Sequence, residues 1–190
     1  MAAKAISDLE LIDQVLSGEV MAYRTLTDKY KDYAYTLALR VLGNKEEAEE
    51  AAQDAFVKAF NSLKSFNRTA KFTTWFYRIV LNTAISYKRR QKPPMDSLEQ
   101  RQVIGDGEIS QMDQFKILEQ RKYLQNAMNY LKADDVSVLT LFYFKEHSLE
   151  EMSEITGIAV NTLKVKLYRA RKRLGEVLGK ILKKEVSSLL

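Results

Sequence analysis

No cysteine occurs in the 190 residues, so neither a disulfide framework nor a thiolate zinc site can form, which fits a reducing cytoplasm. The single histidine, His147, excludes a His-rich metal cluster and leaves little for His-centred acid–base catalysis. No apolar run approaches the ~18 residues a membrane span requires, so no membrane insertion is expected. The first residues carry Asp8 and Glu10 and no apolar core of a signal peptide, so the expected location is cytoplasmic. No nucleophile–base pair, phosphate loop or metal constellation appears, so no enzyme, cofactor or metal is expected. Only two prolines and seven glycines interrupt a chain rich in Ala, Leu, Lys and Glu. Helices are the outcome that composition favours.

Thirty Lys and Arg against 25 Asp and Glu give a net charge of +5, and its distribution says more than its size. Residues 1–67 carry −3, residues 68–92 carry +7, residues 93–163 carry −6 and residues 164–190 carry +7. Two basic blocks separated by acidic ones suggest two polyanion-binding patches, one near the end of each half.

Ser7-Asp8-Leu9-Glu10 has the form of a capping box, and Leu9, Ile12, Val15 and Leu16 follow at helical spacing up to Gly18. A second helix reads through Tyr23, Leu26, Tyr30, Tyr33, Leu37 and Val41 and stops at Gly43-Asn44. Asn44 can cap a third, with Glu46, Glu47, Glu49 and Glu50 near its positive end. The expected inner stripe of that helix is Ala48, Ala52, Ala55, Phe56, Ala59, Phe60 and Leu63. After a polar loop at 65–71, a fourth helix spans about 73–90 with Trp75, Phe76, Ile79, Val80 and Ala84 inward. Pro93-Pro94 ends it, and the polar, acidic stretch to about residue 114 reads as a flexible linker. Helical periodicity resumes over 116–132, and Asp134 or Asp135 is expected to cap a short apolar helix over 136–145. The reading is all-α: two small helical domains, residues 1–92 and 116–190, joined by a linker at 93–115.

Ser148-Leu149-Glu150-Glu151 is a second capping box, opening a short helix that ends at Gly157. Ser153 is small where two helices cross, Gly157 permits a turn with positive φ, and Leu163 returns to the core. That spacing is a helix-turn-helix pattern. Leu163, Leu167, Ala170, Leu174 and Val177 make the buried stripe of the second helix. Asn161, Thr162, Lys164, Lys166 and Arg169 supply donors near its start, and Arg171, Lys172 and Arg173 supply cations for phosphates further along. His147 is expected in an exposed turn just before the capping serine.

Aromatics interleave the first basic block: Phe66, Phe72, Trp75, Phe76, Tyr77 and Tyr87. Aromatic faces with cations suit single-stranded nucleic acid, although Trp75, Phe76 and Ile79 also make a good core stripe. The loop at 65–71 is the better place for base-reading side chains. The run 49–56 (EEAAQDAF), then 72–79 (FTTWFYRI), Asn82 and Lys88-Arg89-Arg90 resembles region 2 of extracytoplasmic-function sigma factors. Residues 148–173, including Thr162-Leu163-Lys164 and Tyr168-Arg169-Ala170-Arg171, resemble region 4 of the same family.

The resemblance implies a promoter-specificity subunit of bacterial RNA polymerase. Glu49, Glu50, Gln53 and Asp54 would then meet the clamp helices of the largest polymerase subunit. Phe66, Asn67, Arg68 and Lys71 would bind the melted −10 strand and capture an extruded base, while Arg78, Lys88, Arg89 and Arg90 hold phosphates. The helix at 162–173 would read the −35 element as duplex. The family also implies an anti-sigma factor as partner. Ala159 stands where the family often has a capping Ser, leaving Asn161 as the capping candidate, Val165-Lys166 replaces a common Ser-Arg pair, and Ser86 replaces a frequent Asp. The alternative is a stand-alone helix-turn-helix regulator, which would bind a duplex operator tightly without polymerase.

Overall fold

The computed structural model describes residues 6–91, 111–144 and 147–188. Among these the chain is all helical: α1 (Asp8–Leu16), α2 (Val20–Leu42), α3 (Lys45–Ser62), a 3₁₀ turn (Leu63–Ser65), α4 (Phe72–Arg90), α5 (Gln111–Asn129), α6 (Ala133–Phe144), α7 (Leu149–Thr156) and α8 (Val160–Ser188). Four helices precede the proline pair and four follow it, as the periodicity indicated. Residues 93–110 of the expected linker lie outside the described residues, and α5 starts at Gln111 rather than 116.

The helix starts follow their capping chemistry. Ser7 accepts from the Glu10 amide while Glu10 accepts from the Ser7 amide, and Ser148 and Glu151 repeat the arrangement at α7. Asn44 accepts from the Glu47 amide at 2.8 Å at the start of α3. Gly43 (φ 71°) and Gly157 (φ 73°) end α2 and α7 in the left-handed region, where a side chain would be strained.

In the N-terminal half, α2, α3 and α4 pack on one another, with α1 laid along α2. The stripe of α3 is built from alanines: Ala48, Ala51, Ala52, Ala55 and Ala59 are all buried, which lets its neighbours approach closely. Phe60 departs from the expected stripe and stays 39% exposed. Ala59 already fills the inward position, and the next residue is turned ~100° away from it. Phe56 is half-buried against Phe76.

In the C-terminal half, Met152 and Ile155 of α7 meet Leu163, Leu167 and Ala170 of α8 in the core, which is the helix-turn-helix packing. Three expectations are corrected here. Asn161 lies inside α8 and does not cap it; Ala159 takes the cap position, its carbonyl accepting from the Leu163 amide at 3.0 Å. Asp134 and Asp135 lie in the first turn of α6 and turn their carboxylates to basic side chains. His147 is not exposed: its ring is half-buried between the Tyr33 hydroxyl (3.2 Å) and Glu151 (3.5 Å).

The halves do not stand apart. α7 and α6 pack on α4, α6 also packs on α2, and one buried cluster runs through both. No helix among the described residues is long and apolar enough to cross a membrane.

Candidate nucleic-acid interface

α8 is positioned by its buried stripe, and what remains on the outside is the surface a duplex would meet. Asn161, Thr162, Lys164, Arg169 and Lys172 are exposed along it. Val165 and Tyr168 share this face, Tyr168 being 70% exposed. Apolar and aromatic groups there suit contact with thymine methyls, and donors near the helix start suit base edges. Periodicity marked both residues as outside the core stripe, but nothing in composition separated a reading face from a solvated one.

Three further cations of α8 are engaged within the chain. Arg171 lies over the rings of Phe142 and Tyr143, 5.1 and 5.2 Å from their centroids. Arg173 bonds Asp135 through Nε at 2.7 Å and through Nη2, and Asp135 has only 8% of its side chain exposed. That hydrogen bond holds the guanidinium's proton affinity above its ordinary value. Lys166 lies 3.8 Å from Asp134.

On the other half, the loop between the 3₁₀ turn and α4 is held by short-range bonds. Asn67 Oδ1 accepts from the Thr69 amide (3.2 Å) and hydroxyl (2.8 Å), a tight polar turn. Arg68 follows with φ 60°, its guanidinium paired with Asp13 of α1. Lys71 is exposed at the start of α4. Phe66 differs from its expected role: it is 7% exposed and packs on Phe72 and Trp75 at 5.8 and 5.3 Å. Its ring anchors the loop from beneath. Lys88 is likewise buried, at 8% exposure, rather than turned to a phosphate.

Along α4, Arg78, Asn82, Ser86 and Arg89 fall on one side of the helix at near-four-residue spacing. Between α3 and α4 this side opens into a recess of about 270 Å³ lined by Lys58, Ile79, Asn82, Thr83 and Ser86, with Lys58 Nζ 3.2 Å from Thr83 Oγ1. Arg90 lies 5.8 Å from the Tyr87 ring centroid. Arg78 reaches across to α7, and Arg89 to Asp134 at 2.9 Å.

The outer face of α3 carries Glu49, Glu50 and Gln53 in solvent, with Asp54 half-buried. The Tyr87 hydroxyl donates to Asp54 at 2.8 Å; desolvation first, then this bond, pushes the phenol up to about 12. Val57 and Phe60 extend the same face as exposed apolar groups. Sequence reasoning missed Val57 and placed Phe60 inside; the signal was the alanine stripe, which already accounts for the inner face. Among the described residues no group of three or more His, Asp or Glu could hold a metal ion.

Comparison with known proteins gives two family matches in chain order: Sigma-70 region 2 over residues 26–93, and Sigma-70, region 4 over residues 121–174. The chain is 36% identical over 173 residues to the ECF RNA polymerase sigma factor SigW of Bacillus subtilis, covering 86% of this chain and 92% of that one. It is 28% identical to the ECF RNA polymerase sigma-E factor of Escherichia coli K12, covering 90% and 94%. Its fold is similar to that of CnrH solved with the cytosolic domain of CnrY (TM-score 0.61, 22% identity, 90% of this chain and 96% of that one). It is also similar to the sigma factor RpoE solved with the anti-sigma factor NepR from Bartonella quintana (TM-score 0.59, 20% identity, 83% and 96%).

Proposed function

Since the chain belongs to the ECF sigma factors, non-enzymatic subunits of transcription initiation, we propose that it binds core RNA polymerase and directs it to promoters through two separate DNA elements. Residues 1–92 form the region 2 module and residues 116–190 the region 4 module, joined through 93–115. The observation that carries the reading is the exposed outer side of α8, where Asn161, Thr162, Lys164, Arg169 and Lys172 stand opposite a buried stripe. This side takes the −35 duplex in its major groove. The loop residues Asn67, Arg68 and Lys71 take the melted −10 strand with Arg78, Arg89 and Arg90 as phosphate donors. Phe66 and Lys88 support that surface from within.

Glu49, Glu50, Gln53 and Asp54 dock on the clamp helices of the largest polymerase subunit. Val57 and Phe60 support this assignment, because they continue the polar face as exposed apolar area, and protein interfaces combine the two. Catalysis belongs to the polymerase. The sigma chain contributes higher affinity for unpaired than for paired −10 DNA, and that difference shifts the equilibrium toward the open promoter. An anti-sigma partner is proposed by analogy with the complexes of the structural neighbours. The working compartment is the cytoplasm, where the polymerase is.

The test is co-purification with core polymerase, with and without Gln53→Ala plus Glu50→Lys, followed by transcription of a promoter library. Association weakened by the double change, with a narrow set of transcribed promoters, supports the proposal. Absence of association, together with tight binding of the free chain to duplex DNA, would favour a stand-alone regulator.

A further inference from the structure

Between two buried rings, Phe66 and Phe72, the chain crosses an exposed stretch from Asn67 to Lys71. With no buried side chain of its own, that stretch takes its shape from backbone angles and polar bonds. At its centre Arg68 has φ 60°, and it is the single non-glycine residue with positive φ among the described residues. The left-handed region costs an arginine free energy, because Cβ crowds the following carbonyl oxygen. Arginine also lacks the short polar side chain with which Asn or Asp offsets that cost locally.

The offset comes instead from α1. Arg68 donates through Nη1 to Asp13 Oδ2 at 3.4 Å and through Nη2 to Asp13 Oδ1. Asp13 follows Leu11 and Ile12, both in the core, so its place on the helix is set by burial. Asp8 fastens the start of the same helix to α2, its two oxygens taking Lys29 and the Tyr30 hydroxyl at 2.6 Å each. Asp13 is therefore a carboxylate on a fixed support, and the loop is the partner that comes to it.

We propose that Asp13 is a positioning residue for the −10 strand: without touching nucleic acid, it holds Arg68 left-handed and keeps the loop at 67–71 in the shape that receives the strand. This rests on the promoter-binding role of that loop and names what orders it. The energies are matched for such a role. An ion pair with side chains 44% and 57% exposed is about as favourable as the backbone strain is costly, so its loss shifts the loop's population without unfolding the protein. Pairing and strand binding are also compatible, since Asp13 takes two of the five N–H donors of Arg68.

The sign of one measurement separates positioning from charge. Beside a polyanion site, removing a carboxylate by itself tightens binding, whereas removing a positioning residue weakens it. Asp13→Ala in the holoenzyme should weaken binding of a single-stranded oligonucleotide, carrying the −10 sequence that the promoter library selects, by about three- to fivefold. The salt slope of that binding should stay native, because no phosphate contact is lost. In an Arg68→Gly background, where positive φ carries no strain, adding Asp13→Ala should change affinity by less than about twofold. On the free chain, the Cα and Cβ NMR shifts of Arg68 should lose their left-handed values in Asp13→Ala. Unchanged or tighter binding by Asp13→Ala would overturn the proposal, as would native Arg68 shifts in that variant. So would an equal loss in the Arg68→Gly background, which would route the effect of Asp13 through something other than the strain at Arg68. If the native holoenzyme binds no −10 strand while the free-chain shifts respond as expected, the promoter-binding reading fails and the hold of Asp13 on the loop stands.

Discussion

Tyr87 of α4 donates its phenolic hydrogen to Asp54 of α3 across 2.8 Å, so a residue of the proposed −10 helix fixes a carboxylate of the proposed polymerase face. The two surfaces are therefore mechanically linked through one side-chain bond. Asp54 is the half-buried member of its acidic group, whereas Glu49, Glu50 and Gln53 are exposed.

Tyr87→Phe removes that bond and should lower stability by about 1 kcal/mol at neutral pH. The phenol's folded pKa is raised to about 12, so the stabilisation is fully present below the ordinary tyrosine value and is lost as pH rises through the folded one. Urea midpoints of the native and variant chains should differ by a constant amount at about pH 7 to 9 and converge toward pH 12. A gap that persists unchanged at high pH would place the effect of the substitution elsewhere.

Phe66 and Lys71 bracket the same loop and should separate cleanly. Phe66 is buried against Phe72 and Trp75, so Phe66→Ala leaves a cavity and should cost about 3 kcal/mol in urea unfolding. Lys71 is exposed, so Lys71→Ala should change stability by less than about 0.5 kcal/mol. It should instead weaken binding of the holoenzyme to a single-stranded −10 oligonucleotide. Equal stability losses in the two variants would contradict this placement.

Arg173 and Lys172 are neighbours with different work. Arg173 ties α8 to the buried carboxylate of Asp135, and its half-exposed position reduces the strength of that pair. Arg173→Ala should therefore lower the melting temperature of the C-terminal half, because it leaves the Asp135 carboxylate without its partner. Lys172→Ala should leave stability near native while reducing the salt slope of −35 duplex binding by about one. Titration of both variants at several salt concentrations, beside thermal melts, distinguishes the two roles.

Local chemistry made most of the fold legible. Ser7, Asn44 and Ser148 announced their helix starts, Gly43 and Gly157 announced two ends, and the apolar period of 163–177 announced the helix-turn-helix core. What escaped depends on the packing of distant segments. Nothing near Phe66 in sequence says that it lies over Trp75, and no local pattern joins Arg78 to the last carbonyls of α7. Basic residues look alike in a sequence, whether they face solvent, as Lys172 does, or a carboxylate, as Arg173 does. Ala159 and Asn161 show the same limit: capping preference ranked Asn above Ala, and the register of α8, set by Leu163 and Leu167 in the core, decided otherwise.

Gly43 and Gly157 test how far the two halves depend on each other. Both adopt φ near 70°, so alanine at either should cost about 1 to 2 kcal/mol from the backbone alone. Their surroundings differ. A Cβ at Gly157 meets only Arg78 Nη2 at 3.8 Å, an ordinary contact. A Cβ at Gly43 would stand 2.7 Å from Asn129 Oδ1 and 2.9 Å from Gln125 Nε2, so these α5 side chains must move. Gly43→Ala should therefore speed amide exchange in α5 as well as lower the urea midpoint, whereas Gly157→Ala should lower the midpoint and leave α5 unchanged. If α5 exchanges at native rates in Gly43→Ala, the end of α2 does not support the C-terminal half in solution.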